Sequence, residues 1–115
     1  DFCLSRGLGD VYKRQVLLCM MLDTKNQLLG EKEITRGTVN ATMISPRELF
    51  LAALQFRAVH ILLVHNHPSG IPEPSGDDIT VTRQIRRAGE MLGITLLDHI
   101  IIGDHCYTSM LEQGI

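Results

Sequence analysis

Residues 64–79 read VHNHPSGIPEPSGDDI, and the fold follows from how that stretch is divided. The residues before it, AVHILLV (58–64), form a continuous apolar, β-branched-rich run. That pattern suits a strand buried on both faces. If the strand continues to residue 67, His65 and His67 project from the same side, because strand side chains alternate with period two. The loop PSGIPEP (68–74) holds three prolines and one glycine, so it is stiff, sharply turned and able to fold back on the strand. Ser75 and Asp78 then open a helix in a capping pattern. Ile79, Thr82, Ile85, Ala88 and Leu92 carry the helix forward with apolar spacing, and Gly93 closes it.

Working outward, VLLCMML (16–22) is apolar and bounded by the turn sequence DTKN. QLLGEKEITRGT follows with apolar and polar residues alternating around Ile34, and the two runs read as a β-hairpin. Ser45-Pro46-Arg47-Glu48 supplies a serine N-cap, a proline at the first helical position and a glutamate at the third. Leu49, Phe50, Ala53 and Leu54 continue at helical spacing, which predicts a helix over 46–57. ITLLDHIIIG (94–103) and HCYTSM (105–110) read as two closing strands joined at Gly103-Asp104. The fold class is therefore α/β, a mixed β-sheet flanked by helices in the order β-β-α-β-α-β-β. No internal repeat or low-complexity tract interrupts it.

With 115 residues, the chain has room for one compact domain. Its apolar runs are too short to cross a bilayer, and Val16–Leu22 lacks the cleavage site of a signal peptide. The expected compartment is the cytoplasm, with no membrane partner. Cys3, Cys19 and Cys106 are odd in number and lack C-x-x-C spacing, which argues against a disulfide framework or a cysteine zinc site. A net charge of −2 gives no overall basic field for nucleic acid. Arg83, Arg86 and Arg87 form a local basic patch, the usual mark of a solvated helix face.

Two imidazoles on one side of a strand, with Asp78 delivered to them by the folded-back loop, make a set of zinc ligands. Two histidines, a carboxylate and a water give a four-coordinate ion with one open position, the pattern of catalytic rather than structural zinc. Such an ion acidifies its water and polarises a carbonyl. Each residue also has a plainer reading. Ser75 with Asp78 is a sufficient helix cap, Asp77 and Asp78 suit the helix dipole without a metal, and H-x-H pairs occur by accident. The conjunction of strand, H-x-H, proline/glycine turn and Ser/Asp helix start points to the metal. His60 and His105 have no partner at ligand spacing. Asp98 and His99 are strand neighbours facing opposite ways, so either one of them supports a ligand or both form a hydrogen-bonded core pair.

H-x-H, seven residues, then S-x-x-D resembles the JAMM motif of the MPN/JAB metalloprotease superfamily. HNHPSG…PS..D, with RGTVNATMISPRELF, AVHILLVHNHPSG and LGITLLDHIIIGD, is similar to its bacterial RadC-like JAB branch, long labelled a DNA-repair family. The resemblance covers about residues 16–115. It implies a JAB/MPN, cytidine-deaminase-like fold, Zn(2+) as cofactor and His65, His67 and Asp78 as its ligands. Ser75 is implied to hydrogen-bond the metal's water or the developing oxyanion. The implied activity is that of a zinc metallopeptidase or isopeptidase acting on a protein or peptide. DNA is a second partner implied only by the older label, and a non-catalytic scaffold is the third reading.

The resemblance also implies a general-base glutamate at the start of the first strand, and counting back from Leu22-Asp23 puts that position at Gln15. Glutamine has the shape of glutamate but cannot take up and pass on a proton. Glu31, Glu33 and Glu48 are the possible substitutes; Glu33 on the second hairpin strand and Glu48 in its capping box each have a plainer role, and Glu33 is the weak substitute to check. Residues 1–15 (DFCLSRGLGDVYKRQ) have no counterpart in the family, and DVYKRQ reverse-translates into the transposon end of sequencing-library adaptors. They are expected to be a non-native leader fused to an amino-terminally truncated domain at 16–115. Family members carry a helix-hairpin-helix-like segment before this domain.

Overall fold

The computed structural model describes residues 16–36, 44–67 and 69–115. The expectations placed on residues 1–15, Gln15 included, lie outside them. Seven elements follow in the expected order: β1 (Val16–Leu22), β2 (Leu28–Arg36), α1 (Pro46–Gln55), β3 (His60–Asn66), α2 (Gly76–Leu92), β4 (Thr95–Ile102) and β5 (Tyr107–Ser109). The strands make one mixed sheet in the order β2-β1-β3-β4-β5. β3 pairs antiparallel with β1 and parallel with β4, and β4 pairs antiparallel with β5.

The hairpin turn holds because the Asp23 carboxylate accepts from the main-chain N–H groups of Lys25 and Gln27, both at 2.9 Å. Asn26 takes the left-handed conformation the turn needs (φ 62°), a backbone that asparagine tolerates better than most residues. Helix α1 starts as its sequence requires, with Ser45 Oγ accepting from Glu48 N at 3.3 Å. It stops at Gln55, two residues before the expected 57. Arg57 adopts φ 56°, and its N–H reaches Leu54 O at 3.0 Å while that of Ala58 reaches Ala53 O at 2.9 Å. These two bonds are a Schellman closure with arginine at the position usually given to glycine. β3 therefore begins at His60 rather than 58.

Both helices pack on one face of the sheet. Leu17, Cys19 and Met21 of β1 and Ile61 and Leu63 of β3 share a buried cluster with Leu49, Phe50 and Ala53 of α1 and Val81 and Ile85 of α2. Met20, Val64 and Ile102 point to the other face, with Leu18, Leu62 and Ile100 packed around them. β3 is thus apolar on both sides, as its unbroken run required. Helix α2 keeps Thr82, Ile85 and Ala88 of the expected stripe against the core and widens it. Asp78, Val81, Thr82, Ile85 and Gly89 turn inward, while Leu92 is exposed. Gly89 joins the partly buried Ala88 on the inner face, where the Ile94 carbonyl and the Phe50 ring press against it and leave no room for a Cβ. No helix among the described residues is long and apolar enough to cross a membrane.

Candidate metal centre

Strand alternation places the first histidine. His65 lies opposite Leu17 of β1 and Ile101 of β4, both fully buried on the helix side. Asn66, between the histidines, turns the other way, and its Oδ1 accepts from Val16 N at 2.6 Å. The strand ends there, but His67 N still donates to Ile102 O at 2.9 Å, so the strand geometry carries through to the second histidine. The two rings stand 4.9 Å apart, nearly perpendicular.

The loop is pinned from two sides. Gly70, at φ 84°, donates to His67 O at 2.9 Å and accepts from Asp104 N at 2.8 Å. Gly103 lies against the Gly70 carbonyl and Pro72, where any side chain would collide. The loop returns the Ile71 carbonyl to 3.0 Å from His67 Nδ1. A carbonyl only accepts, so Nδ1 carries the proton and Nε2 is the nitrogen turned toward Asp78.

Helix α2 supplies the third group through its cap. Ser75 Oγ accepts from Asp78 N at 3.0 Å, and Asp78 Oδ2 accepts from Ser75 N at 2.9 Å. The capping reading and the site reading hold together, because the same carboxylate reaches both histidines. Asp78 Oδ2 is 3.1 Å from His67 Nε2, and Oδ1 is 3.5 Å from His65 Nδ1. Asp78 is 1% exposed. Burial would raise its pKa, but the hydrogen bonds from His67 and from Ser75 N, with the field of His65, hold it well below the usual carboxylate range. Burial pushes His65 down to about 4 against the opposing attraction of Asp78. His67 is shifted up, chiefly by its hydrogen bond to Asp78. At neutral pH the site thus offers an ionised carboxylate and a neutral His65, and its His67 holds a proton more tightly than a free imidazole does, a proton with which an incoming cation competes.

The donor set fits a divalent metal ion. One ligand atom from each of His65, His67 and Asp78 lies within 4.8 Å of the others. Tetrahedral zinc with bonds of about 2.0–2.1 Å spaces its ligands by about 3.3 Å, and the carboxylate stands at 3.1 Å from His67 through Oδ2 and at 3.5 Å from His65 through Oδ1. The Nδ1–H···O=C bond of His67 is the arrangement that metal-bound histidines use to fix tautomer and ring orientation.

Other expected residues fall elsewhere. Glu33 pairs with Leu18, which in turn faces Val64, so the register puts it on the sheet face opposite His65. An irregularity between Leu17 and Leu18 turns Ile34, rather than Glu33, toward the helix side. That placement puts Glu33 on the sheet face away from His65. Asp98 and His99 divide as alternation requires. Asp98 accepts from Ser109 Oγ at 2.5 Å and from Leu111 N at 2.9 Å, fastening the chain after β5. His99 is fully buried on the site side, its ring 5.7 Å from that of His65. Its Nδ1 lies 2.7 Å from Thr82 Oγ1. Thr82 reads in sequence only as part of the helix's inner stripe, and its one signal is a hydroxyl four residues after Asp78 on the buried face. His60 bonds Asn26 Oδ1 at 2.7 Å through Nδ1, and His105 is exposed; neither belongs to the His65–His67–Asp78 group.

The RadC-like JAB domain family matches residues 3–115, a span that takes in most of the stretch 1–15 expected to have no counterpart in the family. A UPF0758 protein of Desulforamulus reducens is 48% identical over 102 residues, covering 89% of this chain and 45% of its own length. One of Clostridium perfringens is 46% identical over 103 residues, covering 90% and 45%. One of Shouchella clausii is 45% identical over 109 residues, covering 95% and 46%. The chain spans a little under half the length of these relatives. With the family matched along almost the whole sequence and its H-x-H and S-x-x-D residues gathered at one point of the fold, this chain belongs to the RadC-like JAB domain family.

Proposed function

We propose that the domain is a zinc-dependent hydrolase of the metallopeptidase or isopeptidase type, cleaving an amide bond in a protein or peptide. The observation that carries this reading is the convergence of His65, His67 and Asp78, donors of a catalytic rather than a structural set. Zinc held there would supply Lewis acidity toward a water and a carbonyl oxygen. The chain's own residues do the rest. Ile71 O and Asp78 orient His67, and Ser75 N holds the Asp78 carboxylate in place. The Ser75 hydroxyl oxygen already accepts from Asp78 N. Its proton therefore remains to donate outward, to an oxygen gaining negative charge on the substrate. Ser75 is exposed at the head of α2, open to such a substrate.

Among the described residues, none is assigned the proton transfer. Position 15 carries glutamine where the family resemblance calls for glutamate, and the reading gives no such role to Glu33. The chain as written is therefore a metal-binding domain without turnover. The test is a Gln15→Glu chain loaded with zinc and offered isopeptide, peptide and DNA substrates, beside the same chain carrying His67→Ala. Amide hydrolysis that requires both the Gln15→Glu change and an intact His67 is the expected result. Metal-dependent DNA cleavage, or no hydrolysis of any substrate, would overturn it.

A further inference from the structure

We propose that Thr82 and His99 form a buried strut that positions Asp78 for the metal without either residue touching it. This rests on the metal-centre reading above. Thr82 Oγ1 lies 2.7 Å from Asp78 O and 2.7 Å from His99 Nδ1. Both side chains are fully buried. A hydroxyl has one proton and Asp78 O can only accept, so Thr82 donates to Asp78 O and His99 Nδ1–H donates to Thr82 Oγ1.

A threonine bonded to the carbonyl four residues back is common in helices and by itself says little. The third partner changes its meaning. His99 belongs to β4, and its bond fastens the first turn of α2 to the sheet directly beneath the residue that carries the carboxylate. His65, on the neighbouring strand β3, has its ring 5.7 Å from that of His99. The strut therefore sets the spacing between helix and sheet on which the 3.5 Å approach of Asp78 to His65 depends. Supporting groups of this kind commonly carry 10–100-fold in metal affinity.

The capping box does not duplicate it. Ser75 and Asp78 are tied to each other within α2 and its cap, which orients the carboxylate relative to the helix but not the helix relative to β3. His99 Nε2, on the far side of the same ring, has no hydrogen-bond partner among the described residues. The ring is thus held through Nδ1 alone, and loss of the Thr82 hydroxyl would leave it without any such bond.

The test is zinc affinity, by competition with a chelating dye, with folding followed by circular dichroism. Thr82→Val leaves a buried imidazole N–H without an acceptor and so also lowers stability. The Thr82→Val/His99→Leu double variant replaces both partners by apolar groups, a change that can be nearly neutral for folding. We expect both to bind zinc about tenfold more weakly or worse. Thr82→Ser, which keeps the hydroxyl, should bind within about threefold of the parent, and Ile94→Val, a core trim at the far end of α2, should bind like the parent. Parent-like affinity in the folded double variant, or an equal loss in Ile94→Val, overturns the strut alone. Absence of His67-dependent zinc binding in the parent overturns the metal reading and the strut with it.

Discussion

Acid should destabilise the metal-free domain by a definite number of protons. Burial holds His65 and His99 down to about 4, against 6.5 for the unfolded chain. Both are lowered bases, so the sign is fixed. Between those two values the unfolded chain binds a proton at each site and the folded chain does not, and stability falls as pH falls. The gap, at ~1.4 kcal/mol per pH unit, comes to about 3 kcal/mol for each histidine. The other two groups of the site are silent in this window. His67 is raised, so below 6.5 it is charged whether folded or not, and its contribution is lost only as pH rises through its folded value. Asp78 is lowered, so it is ionised in both states until pH nears the unfolded value of 3.8. Urea unfolding in the presence of a chelator, at several pH values between about 6 and 5, should show a slope close to two protons, just under about 3 kcal/mol per pH unit. His99→Leu should halve it. A slope below one proton, or one unaffected by His99→Leu, would refute the claim that these imidazoles are buried in the neutral form.

Ser75→Ala removes the acceptor for Asp78 N and should lower stability by about 1 kcal/mol, measured by urea unfolding, while Ser75→Asn should restore most of it. Arg57→Gly relieves a left-handed arginine at the end of α1 and should raise stability by about 1 kcal/mol, with zinc affinity unchanged. Gly103→Ala forces the loop at Gly70 and Pro72 away from Ile102–Asp104. It should destabilise by about 1–3 kcal/mol and weaken zinc binding, because the same loop supplies the Ile71 carbonyl to His67. A Gly103→Ala chain with parent stability would show that this close approach is not maintained in solution.

What the sequence made legible was local chemistry with a short reach. The capping residues Ser45 and Ser75, the left-handed Gly93 and the period-two relation of His65 to His67 each depend on a few neighbouring residues, and each stands as read. Asp78 reaching the histidines needed only a stiff seven-residue loop. The misplacements have long-range causes. Helix α1 stops early because Arg57 accepts a conformation that arginine disfavours, for which nothing in 46–57 gives a signal. Glu33 was only a weak substitute in sequence, and its face is decided by a register irregularity at Leu17/Leu18, since registers are set between strands rather than along them. Thr82 gained its meaning only from His99, seventeen residues away. The inward turn of Gly89 likewise waits on Ile94 and Phe50, which only the folded chain brings against it.

The measurement that bears most directly on the account is zinc binding by the metal-stripped chain, by calorimetry at about pH 6 in buffers of differing ionisation heat. His65 is neutral there, Asp78 is ionised and His67 Nε2 carries the proton that must leave. The expected result is one zinc per chain with about one proton released, and no such binding by the folded His67→Ala variant. Zinc bound equally well without His67, or none bound by the parent chain, would contradict the account.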